Sequence, residues 1–224
     1  MKRSENNRLI IHAIDFFDAM NFSLPHWALW TPDTWMEQKE NCAEIFDSLL
    51  GWDLTDFGLG NFSSSGLLLF TIRNGHPEKD QKPYAEKIMV VEENQVTPMH
   101  FHWSKMEDIT NRGGGNLMIR LYASTEEEGL ASNDFEVSLD GIRRICGPGE
   151  VVVLHPGDSI TLKQGLYHEF YGEPGKGKVL VGEVSAVNDD HSDNRFLEGV
   201  GRFPDIEEDE PILHLLTSDY LNIN

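Results

Sequence analysis

The sequence has no long hydrophobic run and is poor in basic residues. No apolar stretch approaches the ~20 residues that cross a bilayer. His12 and Asp15 interrupt the apolar stretch near the amino end, which argues against a secretory signal. Lys and Arg number 18 against 38 Asp and Glu, so the net charge is −20. Because binding to phosphates requires a basic surface, we expect no nucleic-acid partner and no anionic membrane partner.

Cysteine is also scarce. Cys42 and Cys146 are the two cysteines of the chain, and we predict that both are free thiols in a reducing cytoplasm. Hydrophobic residues make up 39% of the 224 residues, enough for a substantial core. We find no repeat, linker or break in composition. The sequence therefore predicts one domain over residues 1–224.

Residues 1–60 have the pattern of a helical N-terminal segment. Apolar side chains between residues 4 and 20 recur at helical spacing, with Ser4 as the predicted N-cap. A second helical stretch begins with Thr31 at a cap position and Pro32 in the first turn, and it ends at Gly51.

Residues 66–188 change to short apolar segments separated by turn residues. Asp140-Gly141 between two such segments predicts a tight hairpin. Many strands of this length and spacing are typical of an antiparallel sandwich or barrel rather than of a parallel sheet. We therefore predict a mainly β fold with the N-terminal helices packed outside, followed by an acidic C-terminal segment, residues 189–224.

The stretch "VTPMHFHWSKMEDITNRGGG", residues 96–115, contains the residues that indicate chemistry. Residues two apart on a strand point to the same face, so His100 and His102 project together. Glu107 follows after a possible turn, and His168 lies in a later strand-rich segment. A His-x-His pair alone is more often a surface or core feature. Together, three imidazoles and a carboxylate suit Mn(II), Fe(II), Co(II), Ni(II) or Zn(II).

The triple glycine that closes this stretch, residues 113–115, has a structural interpretation. It lacks the Lys-Ser/Thr ending of a phosphate-binding loop. We expect it to allow a tight backbone turn beside the site.

Two of these segments, "HFHWSKME" and "GDSITLKQGLYH", resemble the two motifs of the cupin superfamily. The resemblance implies a small jelly-roll-like antiparallel β-barrel that holds a metal. It assigns the ligands to His100, His102, Glu107 and His168. Three turn positions depart from the general motifs, namely Asn94, Lys163 and Gly172.

A more specific likeness covers about the last two-thirds of the chain. The segments "KIMVVEENQVTPMHFHWSKMEDITNRGGGNLMIRLY", "PGDSITLKQGLYHEFYG" and "GEVSAVNDDHSDNRFLEGVGRFPDIEEDEP" resemble the bacterial D-lyxose isomerase family of cupins. The resemblance implies interconversion of D-lyxose with D-xylulose and of D-mannose with D-fructose, with a divalent metal, typically Mn(II). It also implies that the chain binds a monosaccharide as its substrate. The expected assembly is a homodimer.

An aldose–ketose isomerase must also move hydrogen between C1 and C2. We predict a proton carried by way of an enediol at the metal, and the sequence leaves a hydride shift open. A carboxylate that binds metal tightly is a poorer base, which favours a separate acid. The sequence leaves several carriers open: Glu107, Asp190, Glu207 and Glu208, with Lys105 as a further catalytic candidate.

The candidates for substrate binding are two lysines, a tryptophan and an arginine: Lys87, Lys105, Trp27 and Arg202. A single Lys or Arg is usually a solvated surface charge. A tryptophan near predicted helices more often packs in the core, although flat rings also stack on sugars.

Two other functions fit the same ligand set. A cupin dioxygenase would use Fe(II) and O₂ with an apolar pocket. A non-catalytic cupin would bind a sugar without turnover.

Overall fold

The computed structural model describes residues 1–76, 82–187, 192–201 and 204–222. The α-helices are α1 (Arg3–Ala19), α2 (Pro32–Gln38) and α3 (Ala43–Asp47), and 3₁₀ helices cover His26–Leu29, Lys39–Asn41 and Thr217–Asn222. Within these residues, no helix combines the length and the apolar composition needed to cross a bilayer.

The strands form two sheets in which every pairing between strands is antiparallel. In chain order they are β1 (Gly51–Thr55), β2 (Leu67–Arg73), β3 (Tyr84–Val91), β4 (Thr97–Phe101), β5 (Glu107–Gly114), β6 (Leu117–Ala123), β7 (Phe135–Leu139), β8 (Ile142–Cys146), β9 (Val151–Leu154), β10 (Ser159–Leu162), β11 (Leu166–Gly172), β12 (Val179–Ala186) and β13 (Arg195–Phe196). The larger sheet has the order β1-β2-β3-β12-β5-β10-β7-β8. The smaller sheet has the order β13-β4-β11-β6-β9.

The main core lies between the two sheets, as the predicted barrel requires. Alternate residues of β6 point inward, and Leu117, Ile119 and Leu121 are fully buried there. Val179 and Val181 of β12 face them from the larger sheet. The interior is therefore closed by apolar side chains at one end and lined by polar ones at the other.

Helix α1 covers the outer face of the larger sheet. Ile10 and Phe17 of α1 pack against Trp52 and Phe70 of β1 and β2, and the rings of Phe17 and Trp52 stack at 6.1 Å between centroids. The predicted position of the N-terminal helices outside the barrel is confirmed.

The structure corrects three details of the predicted N-terminal segment. Strand β1 lies within residues 1–60, because the β-favouring side chains of Trp52 and Thr55 pair with β2 directly after the left-handed Gly51. The helix predicted to run from Thr31 to Gly51 is divided into α2, a 3₁₀ turn and α3. Ser4 is inside α1, and its hydroxyl and backbone N–H bind Asp209 instead.

Other local predictions are confirmed. Thr31 caps α2 by accepting from the N–H of Thr34 at 3.3 Å, with Pro32 at the first helical position. Asp140 and Gly141 join β7 and β8, both with left-handed φ, as a type I′ hairpin turn requires. Cys42 and Cys146 are buried free thiols.

Candidate metal centre

Four side chains from three strands of the barrel meet at its polar end. His100 in β4 lies directly opposite His168 in β11, and His102 follows β4. Glu107 is the first residue of β5 in the facing sheet. All four are at most 6% exposed. The two sheets thus bring together the residues that the sequence motifs separate by up to 68 positions.

Each imidazole is oriented by a backbone carbonyl. The Nδ1 atoms of His100, His102 and His168 lie 2.7, 2.9 and 3.0 Å from the carbonyl oxygens of Pro98, Asp193 and Leu166, respectively. A carbonyl oxygen can only accept, so Nδ1 carries the proton in each ring. This hydrogen bond leaves the Nε2 atom of each ring as the one that can offer a lone pair to a ligand.

The carboxylate of Glu107 faces these lone pairs. Its Oε1 atom lies 3.2 Å from Nε2 of His168 and 3.5 Å from Nε2 of His102. Among the described residues this buried oxygen has no hydrogen-bond partner. One ring nitrogen of each histidine lies within 4.8 Å of one ring nitrogen of each of the other two histidines. A buried cluster of unpaired acceptors is costly without a cation at its centre, so a divalent metal fits these residues.

Burial and neighbouring charges set the protonation states of the His100 imidazole and the Glu107 carboxylate. Burial, together with the neighbouring imidazoles of His168 and His102, holds the pKa of His100 well below its usual range, so this ring is neutral at pH 7. Burial alone would raise the pKa of Glu107, but the Lys105 ammonium and then His102 lower it well below its usual range. The carboxylate is therefore ionised.

A second acid and two lysines extend the cluster. The Lys105 ammonium lies 2.6 Å from Oε2 of Glu107 and 3.0 Å from Oε1 of Glu183 in β12. Lys87 in β3 also contacts Oε1 of Glu183, at 3.2 Å. All four side chains are buried, so the two positive and two negative charges compensate each other out of water.

These groups line one cavity whose other walls are mostly apolar, with Thr55, Thr97 and Asn194 as further polar lining residues. The ring of Phe196, from β13, tilts over His100 with 5.3 Å between centroids. The other apolar lining residues are Phe57, Leu67, Leu69, Met89, Ile109 and Phe170. A metal and a small polar molecule could share this space with limited access for water.

The structure does not bring every predicted site residue to this cavity. Trp27 packs at 4.8 Å from Phe70, on the face of the larger sheet opposite the cavity, because it belongs to an aromatic cluster with Trp35. Glu208 pairs with Arg3, and the backbone of Glu207 bonds to the first residues of the chain. Asp190 and Arg202 lie outside the described residues.

Two residues of the site were missed in the sequence. Glu183 stands two positions after Val181, which itself follows Val179, so the period of two along β12 predicts that it faces inward. Asp193 accepts from the backbone N–H groups of Ser104 and Lys105 at 2.8 and 2.9 Å, while its carbonyl orients His102. A loop acid with this role gives no spacing signal.

Comparison with known proteins places the chain in a family. The family model described as D-lyxose isomerase matches residues 1–220. The chain belongs to the D-lyxose isomerase family. Among curated relatives, the D-lyxose/D-mannose isomerase of Serratia proteamaculans is 49% identical over 224 residues, covering 99% of this chain and 98% of that protein. The D-lyxose/D-mannose isomerase of Escherichia coli O157:H7 is also 49% identical, covering 98% of each chain.

Solved structures confirm the cupin-type fold. A mutant of the L-ribose isomerase of Acinetobacter sp. DL28 in complex with L-ribose superposes with a TM-score of 0.61 at 16% identity, covering 90% of this chain and 94% of that one. The ligand-free L-ribose isomerase of Cellulomonas parahominis gives 0.59 at 16% identity, covering 92% and 98%. At these identities the likeness concerns the fold.

Proposed function

We propose that the chain is a metal-dependent aldose–ketose isomerase that interconverts D-lyxose with D-xylulose and D-mannose with D-fructose. The proposal is carried by the three histidine Nε2 atoms and the unpaired Glu107 oxygen that face one another in the cavity. Relatives named for D-lyxose and D-mannose support the choice of sugars. They also favour an isomerase over the dioxygenase and the non-catalytic alternatives.

We propose Mn(II) as the ion, held by His100, His102, Glu107 and His168. A mixed set of imidazole and carboxylate ligands accepts Mn(II) as well as other first-row divalent ions, and the choice of Mn(II) follows the family resemblance. When bound, the ion would supply Lewis-acid stabilisation of negative charge on substrate oxygens. The carbonyls that accept from the three Nδ1 atoms support this assignment, because they turn every Nε2 toward the same centre.

We assign the proton transfer to Glu183. Its carboxylate lines the cavity and is outside the proposed ligand set, so it is available to take a proton from carbon. It takes the proton from C2 of the aldose; the C–H electron pair forms the C1=C2 bond, and the carbonyl pair moves to O1. Returning the proton to C1, with transfer of the O2 proton to O1, gives the ketose.

Lys105 and Lys87 complete the arrangement. The Lys105 ammonium lies between Glu107 and Glu183, where it stabilises both carboxylates and the negative charge that develops on the sugar oxygens. Lys87 holds Glu183 from the other side. Both lysines line the cavity, which supports their role in substrate binding.

The test is sugar turnover by metal-loaded protein. We expect the Mn(II)-loaded chain to convert D-lyxose to D-xylulose and D-mannose to D-fructose, and a chelated sample to be inactive. In D₂O, deuterium should enter C1 of the ketose, because a carboxylate exchanges its proton with solvent between the two transfers. A loaded protein that converts neither sugar would refute the proposed function, and turnover without deuterium would argue against Glu183.

The Glu183→Gln variant separates catalysis from metal binding. It keeps the size of the side chain but cannot take a proton, so turnover should fall by about 10²–10⁴-fold while the metal content stays at the wild-type level. Glu136→Gln, on an exposed acid of β7, is the matched control and should retain full activity. Equal activity of the two variants would remove Glu183 from the mechanism.

We also propose a homodimer located in the cytoplasm. The outer face of the smaller sheet carries the half-buried Met118 and Tyr122 around Arg120 and Glu169, whose charges compensate each other in an ion pair. The buried free thiols fit a reducing compartment. Sedimentation equilibrium should give twice the chain mass of 25.4 kDa; a monomer at micromolar concentration would contradict the dimer.

A further inference from the structure

One hydroxyl in the cavity has no assigned role. Thr97, the first residue of β4, lines the same cavity as the histidines and is 3% exposed. Its Oγ1 atom is buried, and among the described residues it has no hydrogen-bond partner. The methyl group of a valine would fill the same volume without burying an unpaired polar atom, and valine suits a strand equally well. Strand formation alone does not account for a threonine here.

The position of Thr97 relates it to the metal centre. It precedes His100 by three residues on the same strand. The pairing of β4 with β11 shifts register between them, so Thr97 and His100 lie opposite Phe170 and His168, which are only two positions apart on β11. Across the sheet it lies opposite Phe170, whose ring belongs to the apolar wall. The Thr97 hydroxyl is therefore a polar group beside the apolar wall of the cavity, on the strand that also carries His100.

A monosaccharide has hydroxyl groups on the carbons beyond those that react. If C1 and C2 lie at the metal centre, the rest of the sugar must extend along the cavity. We propose that the Thr97 hydroxyl binds one hydroxyl of the substrate beyond C2 and thereby selects sugars that have it. This assignment rests on the proposed isomerase function and adds a specificity-determining residue to it.

Two substitutions isolate the hydrogen bond. Thr97→Val keeps the shape of the side chain and removes the hydroxyl, whereas Thr97→Ser keeps the hydroxyl. Ser185→Ala is the matched control, because Ser185 Oγ is also buried and unpaired but does not line the cavity. Each Mn(II)-loaded variant is assayed for kcat/KM on D-lyxose, D-mannose and a series of analogues that lack one hydroxyl at C3, C4, C5 or C6.

We expect Thr97→Val to lower kcat/KM about 10-fold or more on both parent sugars, while Thr97→Ser and Ser185→Ala stay near the wild-type value. For one deoxy analogue, the wild type and Thr97→Val should be equally active, because the hydroxyl that Thr97 binds is already missing. That analogue identifies the contacted carbon.

The outcomes distinguish this inference from the proposed function. A wild type that converts neither D-lyxose nor D-mannose refutes the proposed function and the inference that depends on it. An active wild type with an unchanged Thr97→Val variant refutes the role of Thr97 alone. A Thr97→Val variant whose kcat/KM falls by the same factor on every parent and deoxy sugar also refutes this role. Such a uniform fall indicates a change in the barrel rather than a lost contact.

Discussion

His102 differs from the other two histidines in what orients it. The carbonyls that accept from His100 and His168 belong to residues two positions earlier in the same strands. The carbonyl that accepts from His102 belongs to Asp193, whose carboxylate also binds two backbone N–H groups after β4. The orientation of His102 therefore depends on the packing of a distant loop against β4.

This dependence leads to a prediction for His102→Ala. Losing one of the four proposed ligands should weaken metal binding by about 100-fold or more, since even the loss of a group that only orients a ligand costs 10–100-fold. Activity should disappear, while the far-ultraviolet circular dichroism stays that of the wild type. Metal content after dialysis is the measurement, and His155→Ala, an exposed histidine outside the cavity, is the control. Retained metal in His102→Ala would refute its role as a ligand.

Residue types, spacing and the motif resemblance together predicted which four side chains meet here, and their role as metal ligands stays a prediction. The period of two placed His100 and His102 on one face, and the described geometry brings Glu107 and His168 to them. The same period would have indicated Glu183. Asp193 and Thr97 could not be predicted, because their positions depend on how a loop and a cavity wall pack, which spacing along one strand does not encode.

At the level of whole elements, the C-terminal segment is tied to the start of α1. The guanidinium of Arg3, 1% exposed, bonds both carboxylate oxygens of Asp219 at 2.8 and 3.0 Å and those of Glu208 at 2.7 and 2.9 Å. Asp209 accepts from the backbone N–H and the hydroxyl of Ser4 at the same helix end. Acids near a helix N-terminus are stabilising, so these contacts, here called the terminal clasp, join the C-terminal segment to the first turn of α1.

We predict that Arg3→Met lowers the free energy of unfolding by about 3 kcal/mol, because it leaves the buried Asp219 without its cation. Urea unfolding at pH 7 measures the change. Arg143→Met is the matched control: its side chain is 71% exposed and pairs with Glu136, so it should cost below ~1 kcal/mol. Similar losses in both variants would show that the clasp contributes little.

The distance along the chain between contacting residues decides which features of the helices and strands a sequence pattern could predict. Hairpins such as the one at Asp140-Gly141 depend on local turn chemistry and were predicted with the correct position. The cap of α1 was wrong, because the residue that bonds to Ser4 is Asp209, 205 positions away along the chain. A single-sequence pattern contains no information on a contact of that range.

The stability of the whole molecule at alkaline pH should depend on Tyr220. Its hydroxyl donates to the carbonyl of Leu50 at 2.6 Å, and burial raises the pKa of this phenol well above its usual value of 10. The unfolded chain ionises this tyrosine near pH 10, whereas the folded chain does not. The stabilisation is therefore complete below pH 10 and is lost as the pH rises toward the folded-state pKa.

Tyr220→Phe tests this expectation. Near pH 8 the variant should be less stable by about 1 kcal/mol, the contribution of one buried hydrogen bond. As the pH rises above 10, the difference between the variant and the wild type should shrink, because only the wild type loses stability through this group. Urea unfolding at several pH values from 8 to 11.5 gives the two curves. If the free energies of unfolding of the two proteins differ by the same amount at every pH, Tyr220 is not the source of the loss of stability at alkaline pH.

The distribution of charge over the molecule predicts which sugars are rejected. The chain carries a net charge of −20, and the cations that line the cavity among the described residues, Lys87 and Lys105, contact Glu183 and Glu107. A phosphate needs cations that are not already neutralised, and the field of an acidic chain repels a dianion. D-Mannose 6-phosphate should therefore have a kcat/KM ~100-fold or more below that of D-mannose. 6-O-Methyl-D-mannose separates size from charge: it should be turned over better than the phosphate, and equal rejection of the two would show that the cavity excludes both by volume.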